Sequence, residues 1–215
     1  MGDAAAGPLS FEGNPVSPVR KWKRVETADG PRFRSSLAPH EADLLKNLVG
    51  ALIDLLDERE SSSPSDELEE ITGIKTGNSE PPGDPTLRRL LPDFFRPEDQ
   101  DASVAGTETP EGLNAALRSL HEPEILGAKR VAAQQLMDTI PASGGRFELS
   151  EDQANAWISA VNDIRLALGV MLEIGPDGPE RLPTDHPMAT HFDVYQWLTV
   201  LQEYLVLVLM GPRSS

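Results

Sequence analysis

Two histidines and two aspartates fall within nine residues of this 215-residue chain, at Asp185-His186 and His191-Phe192-Asp193. Imidazole and carboxylate at that density suit Zn or Mn. Pro187 breaks the i,i+4 spacing that would aim both imidazoles at one ion, so the segment reads as a polar loop ahead of a helix, capped by Thr190 or Asp193. The chain has no cysteine, which removes disulfides, thiolate metal sites, a thiol nucleophile and a thiol redox switch. It carries no nucleophile elbow and no glycine-rich phosphate loop, and its four histidines offer few general bases. The carboxylate-rich stretches 54–70 and 98–101 lack the ligand order of a calcium loop. No enzyme and no cofactor is expected.

The other chemistry-bearing stretch is basic. Lys21, Trp22, Lys23 and Arg24 precede Ala28-Asp29-Gly30, and Arg32, Phe33 and Arg34 follow it. Asp-Gly between two short β-prone runs predicts a hairpin, with Gly30 at positive φ and Pro31 opening the return strand. These seven residues form the candidate contact surface for a partner or a nucleic acid; the competing reading has Trp22 and Phe33 covering a core while the charges solvate the outside. The chain as a whole has 19 basic and 35 acidic side chains, a formal charge of −16. Residues 1–37 hold six basic groups against four acidic ones, so the molecule is polarised. An acidic body repels phosphate backbones, which favours a protein partner for the basic end.

The elements that position these residues are mostly helices. Residues 1–18 are rich in Gly, Ala, Ser and Pro and are expected to be a disordered tail, with one domain over 19–212. From Pro39, Leu45, Leu48, Val49, Leu52 and Leu56 recur at helical spacing. A short helix capped by Ser65 or Asp66 is expected next, then Asp84-Pro85 restarts helix, Pro92 stops it, and Phe94 and Phe95 are expected to plug the core. An acidic loop is expected over 97–109. Thr109 opens a helix to about Leu120, His121-Glu122-Pro123 reads as a turn, and Glu124 to Ile140 reads as the next helix. That length pattern is compatible with helix-turn-helix, but Glu122 and Glu124 stand where a recognition helix needs basic or amide side chains, and an ordinary αα-corner competes. Arg146 to Leu149 reads as a short extended piece. Ser150 and Gln153 form a capping box for a helix whose Ala154, Trp157, Val161, Ile164, Leu168 and Met171 make a heptad seam. Asn162, Asp163 and Arg165 flank that seam and, with Arg88, Arg89 or Asp93, are candidates for a buried polar network that specifies the bundle. The last helix, Phe192 to Met210, ends in YLVLVLM, far shorter than a membrane span. The fold class expected is all-α, a single bundle of five to six helices with a small N-terminal β-hairpin. Homodimerisation through the heptad seam or the YLVLVLM end is open. The first residues lack the basic and apolar regions of a secretory signal, which reads as a cytoplasmic start.

RRLLPDFF (Arg88 to Phe95), SEDQANAWISAVNDIRLALG (Ser150 to Gly169) and VYQWLTVLQEYLV (Val194 to Val206) resemble an actinobacterial family of domains of unknown function whose members include an oxidative-stress transcriptional regulator. The resemblance runs over about residues 20 to 210. It implies a cytoplasmic, mostly helical, non-catalytic regulator that contacts a stress-response sigma factor or RNA polymerase, with promoter DNA touched within that complex. An adaptor in a stress or proteolysis complex, without a promoter role, is the alternative. Regulation in the family is associated with thiol oxidation, from which a chain without cysteine departs. Met137, Met171, Met188 and Met210 are the oxidisable groups that remain.

Overall fold

In the computed structural model the described residues are 19–63, 77–95, 109–175, 178, 183 and 185–211. The tail 1–18, the helix expected after Ser65 and nearly all of the loop expected over 97–109 lie outside them. The elements run β1 (Lys23–Thr27), β2 (Gly30–Leu37), α1 (Pro39–Ser61), α2 (Pro85–Leu90), α3 (Pro110–Thr139), β3 (Gly145–Leu149), α4 (Glu151–Met171) and α5 (Ala189–Met210). The fold is mostly helical with five helices in the described residues, rather than all-α. The expected hairpin forms and is enlarged: β3 pairs antiparallel with β2 to make a three-stranded sheet in the order β1-β2-β3. Gly30, at φ +98, opens β2 opposite Thr27, and Ala28-Asp29 make the two-residue turn.

Local chemistry starts the helices where the sequence places them. Asp84 accepts the Leu87 amide at 2.8 Å and Thr109 accepts the Gly112 amide at 3.2 Å. The capping box at α4 is complete: Gln153 N–H donates to Ser150 Oγ at 3.2 Å and Ser150 N–H donates to Gln153 Oε1 at 2.8 Å. The cap expected at Thr190 or Asp193 does not form. Instead α5 begins at Ala189, after a turn in which the Met188 amide donates to His186 Nδ1 at 3.1 Å. Among the described residues no group of three or more His, Asp or Glu side chains gathers into a possible metal site.

The largest departure is α3, which is continuous across the expected turn at 121–123. Proline inside a helix lacks the N–H that would bond the carbonyl four residues back. Here that carbonyl, on Ser119, accepts the Gly77 amide at 2.8 Å instead. A Cβ at position 77 would lie 2.8 Å from the Pro123 Cδ, so the absence of a side chain there lets the donor approach. With one helix in place of two, the helix-turn-helix and the αα-corner both fall away.

Helix α4 is the centre of the molecule. It packs on α1, α2, α3 and α5 and on the sheet. Its seam residues Ala154, Trp157, Val161, Ile164 and Leu168 are buried, so that much of the stripe serves the internal core, whereas Met171, expected to continue it, is 40% exposed. The sheet closes the core through its inner face. Trp22 sits edge-on to Trp157 at 5.7 Å and to Phe147 at 5.3 Å, and Phe147 stacks on Trp157 at 5.0 Å. At the junction of β3 with α1, Gly144 has φ +72, and a Cβ there would meet backbone atoms of Leu37, Ala38 and Pro39 at 2.7–2.9 Å; only glycine fits. Phe94 does not plug the core. It is 39% exposed and leans on His121, while Asp93 beside it accepts from Arg118. Among the described residues no helix is long and apolar enough to cross a membrane.

Candidate functional site

Strand pairing sorts the seven residues of the basic hairpin into distinct environments. Side chains alternate between faces along a strand, and the register sets Lys23 opposite Arg34, Arg24 opposite Phe33 and Val25 opposite Arg32. Phe33 and Trp22 are buried, at 0% and 4% exposure; they anchor the sheet to the helices and are not available as contact residues. Arg24 shares their face, lies over the Phe33 ring and donates to the Leu209 carbonyl at 3.4 Å. A cation over the last carbonyls of a helix complements its negative end, so Arg24 caps α5. Lys21 is exposed just before β1.

Lys23, Arg32 and Arg34 remain on the outer face, and the third strand enlarges it. Ser36 pairs with Arg146 and Arg34 pairs with Glu148. Arg20 reaches the same face, donating to Ser36 Oγ at 3.2 Å. The outer face therefore gathers Arg20, Lys23, Arg32, Arg34 and Arg146 around one carboxylate, Glu148, which is ion-paired to Arg34. Lys23 and Arg34 stand directly opposite each other. Like charges in that position oppose strand pairing. Such a face is suited to an acidic partner rather than to the stability of the sheet. Arg146 is hidden in the sequence because its short run carries no hairpin signal linking it to β2, and its strand partner Ser36 lies 110 residues earlier.

The expected polar network divides into separate pieces. Arg88 donates twice to the Pro82 carbonyl, at 3.1 and 3.2 Å, and closes its own loop. Arg165 on α4 reaches α5, donating to Thr199 Oγ1 at 3.0 Å and Gln202 Oε1 at 2.5 Å. Asn162 is half-buried on α4 and joins neither. Asp93 belongs to a network the sequence reading missed. Arg59 grips Glu122 with two bonds, at 2.7 and 3.2 Å, and Arg118 holds Glu122 at 2.9 Å and Asp93 at 2.7 Å. Arg118 and Glu122 are an i,i+4 pair, visible in the sequence only if the helix runs through Pro123.

Asp163 is buried and accepts from Lys129 at 2.7 Å, tying α4 to α3. Burial raises its pKa above the ordinary 3.8, and the hydrogen bond and charge of Lys129 offset that only in part. A carboxyl raised on folding binds its proton more tightly in the folded chain, so its contribution to stability falls as pH rises from about the ordinary value through the raised one. In urea titrations across acidic pH, wild type should lose stability relative to Asp163→Asn over that window and run parallel to it above. Parallel curves throughout would contradict the shift.

The model of the domain of unknown function DUF2017 matches residues 19–209, from the start of the hairpin region almost to the end of α5. A Mycobacterium tuberculosis protein named oxidative stress regulator AosR is 76% identical over 196 residues, covering 91% of this chain and 90% of its own. The Mycobacterium bovis protein of that name matches to the same extent, and a Mycobacterium leprae relative is 71% identical over 198 residues, 92% of this chain and 91% of its own. No solved structure matches the chain. With nearly all of the described fold inside the family match, the chain belongs to the DUF2017 family.

Proposed function

We propose that the protein is a non-enzymatic, cytoplasmic regulator of the oxidative-stress response that works by binding a stress-response sigma factor or RNA polymerase through the outer face of its sheet. The relatives' name, oxidative stress regulator, supports the physiological setting. The observation that carries the mechanism is the concentration of five cations around one carboxylate on a chain of net charge −16. Complementary charge speeds and orients association with an acidic surface, and the acidic body of the molecule disfavours free DNA. Promoter DNA then enters through the complex. A chain without cysteine has no disulfide of its own to form, so the oxidant signal reaches it through the partner or through its methionines.

The test is affinity capture from a native lysate with wild type and a Lys23→Glu, Arg32→Glu, Arg146→Glu variant, which leaves the Arg34 to Glu148 ion pair intact. Wild type should recover a sigma factor or polymerase subunits, with recovery falling as salt rises, and the variant should not. Equal recovery by both would remove the sheet face from the mechanism. Recovery of proteolytic subunits in place of transcription components would favour the adaptor role.

A further inference from the structure

We infer that the cleft between α2, α4 and α5 binds a small organic anion, with Arg165 as its principal anchor. The two buried arginines, Arg59 and Arg118, each bind a carboxylate. Arg165 is held as firmly, but by neutral groups only: Thr199 Oγ1 at 3.0 Å, Gln202 Oε1 at 2.5 Å, Tyr195 OH at 3.5 Å and the Tyr195 ring at 5.3 Å. Those partners are themselves fixed, since Gln202 donates to the Ile158 carbonyl at 3.0 Å and Thr199 to the Tyr195 carbonyl at 2.8 Å. Among the described residues, neutral groups orient the guanidinium and no carboxylate neutralises it. Ordered, partly buried charge ordinarily carries a counter-charge, and among the described residues Arg165 has no carboxylate partner.

What it faces is a cavity of about 560 Å³, within the usual size of small-molecule pockets. Arg89 from α2 supplies a second guanidinium on its wall and Tyr195 a hydroxyl, while Leu166, Val170 and Ile174 supply an apolar side. Arginine's planar fork matches a carboxylate or phosphate oxyanion, and two forks with an apolar wall fit an anionic head on a compact hydrocarbon body. Gly169 opens onto the same space, and a Cβ there meets no atom within 4 Å. The site is separate from the sheet face, so it stands or falls independently of the sigma-factor reading.

Calorimetric titration with phenyl phosphate, benzoate, inorganic phosphate and neutral benzyl alcohol tests it. Phenyl phosphate or benzoate should bind saturably, inorganic phosphate more weakly for want of the apolar contact, and benzyl alcohol not at all. Whichever of the first two binds identifies the head group. Loss of a charge-assisted hydrogen bond should weaken binding roughly tenfold or more in Arg165→Met. Arg89→Ala, at an exposed position, and Gly169→Leu, a better helix former that fills the cleft, should weaken it too and remain folded. They decide the matter if Arg165→Met does not fold. No saturable binding of either organic anion at millimolar concentration overturns the inference, as does binding that the Arg89 and Gly169 variants leave unchanged.

Discussion

Replacing Glu122 with leucine should lower stability by about 3–5 kcal/mol, the usual consequence of removing one member of a buried charge cluster. The glutamate side chain is 1% exposed, and it is the carboxylate on which Arg59 from α1 and Arg118 from α3 converge. Without it, two desolvated guanidinium groups face each other; Arg59 retains the Glu80 carbonyl, and Arg118 retains the Leu91 carbonyl and Asp93. Each remaining bond is made to a loop rather than between helices. The matched control is Asp93→Asn, which removes the other carboxylate on the same arginine. Asp93 is 54% exposed, and solvent screening holds such a pair to about 1 kcal/mol or less. Urea unfolding followed by far-UV circular dichroism separates the two. Equal, small losses would show that the cluster is solvated and does not join α1 to α3.

Trp157→Ala should be as damaging, at about 3–5 kcal/mol, typical of emptying a fully buried indole site. Trp157 is 0% exposed, and three kinds of contact meet on it. Trp22 and Phe147 pack on its faces and edge from the sheet, while its Nε1 donates to Thr139 Oγ1 at 2.6 Å at the end of α3. Alanine removes the platform on which the sheet sits and leaves a cavity that the rigid strands cannot collapse to fill. For a chain of this length the loss corresponds to a fall in Tm of roughly 10 °C or more. Trp157→Phe retains the ring and loses the hydrogen bond, so it should cost about a third as much, within the usual range for a conservative core change. The loss of near-UV circular dichroism should exceed that of far-UV signal in the alanine variant. A drop under about 1 kcal/mol would mean that the sheet docks by other contacts.

These two sites differ in how far the sequence revealed them. Trp157 was legible: its place in a 3–4 repeat behind a capping box marked it as core, and the structure puts it there. Glu122 was not, because the proline after it reads as a break and turns a buried ion-pair residue into a loop residue. The reason is that helix continuation through Pro123 depends on a donor from Gly77, 42 positions earlier for Ser119, which no local rule supplies. The basic hairpin shows the same division within a few residues. Its existence and turn followed from Asp-Gly and flanking β-prone runs, but its aromatic and basic members were grouped as one surface. Strand register sent Trp22 and Phe33 inward and Arg24 to α5, and brought Arg146 and Arg20 to the outer face.

Composition and local pattern alone determined a mostly helical chain, the caps at Asp84, Thr109 and Ser150, the buried stripe of α4, and a charge distribution with one basic end. Those properties depend on short-range periodicity and on single capping hydrogen bonds, which neighbouring residues dictate. Tertiary structure decided the third strand, the unbroken α3, the Arg59–Glu122–Arg118 cluster and the orientation of Arg165 toward an open cavity. Each of these joins groups from separate elements, and charges or backbone donors far apart in sequence acquire their partners only when packing removes water from between them.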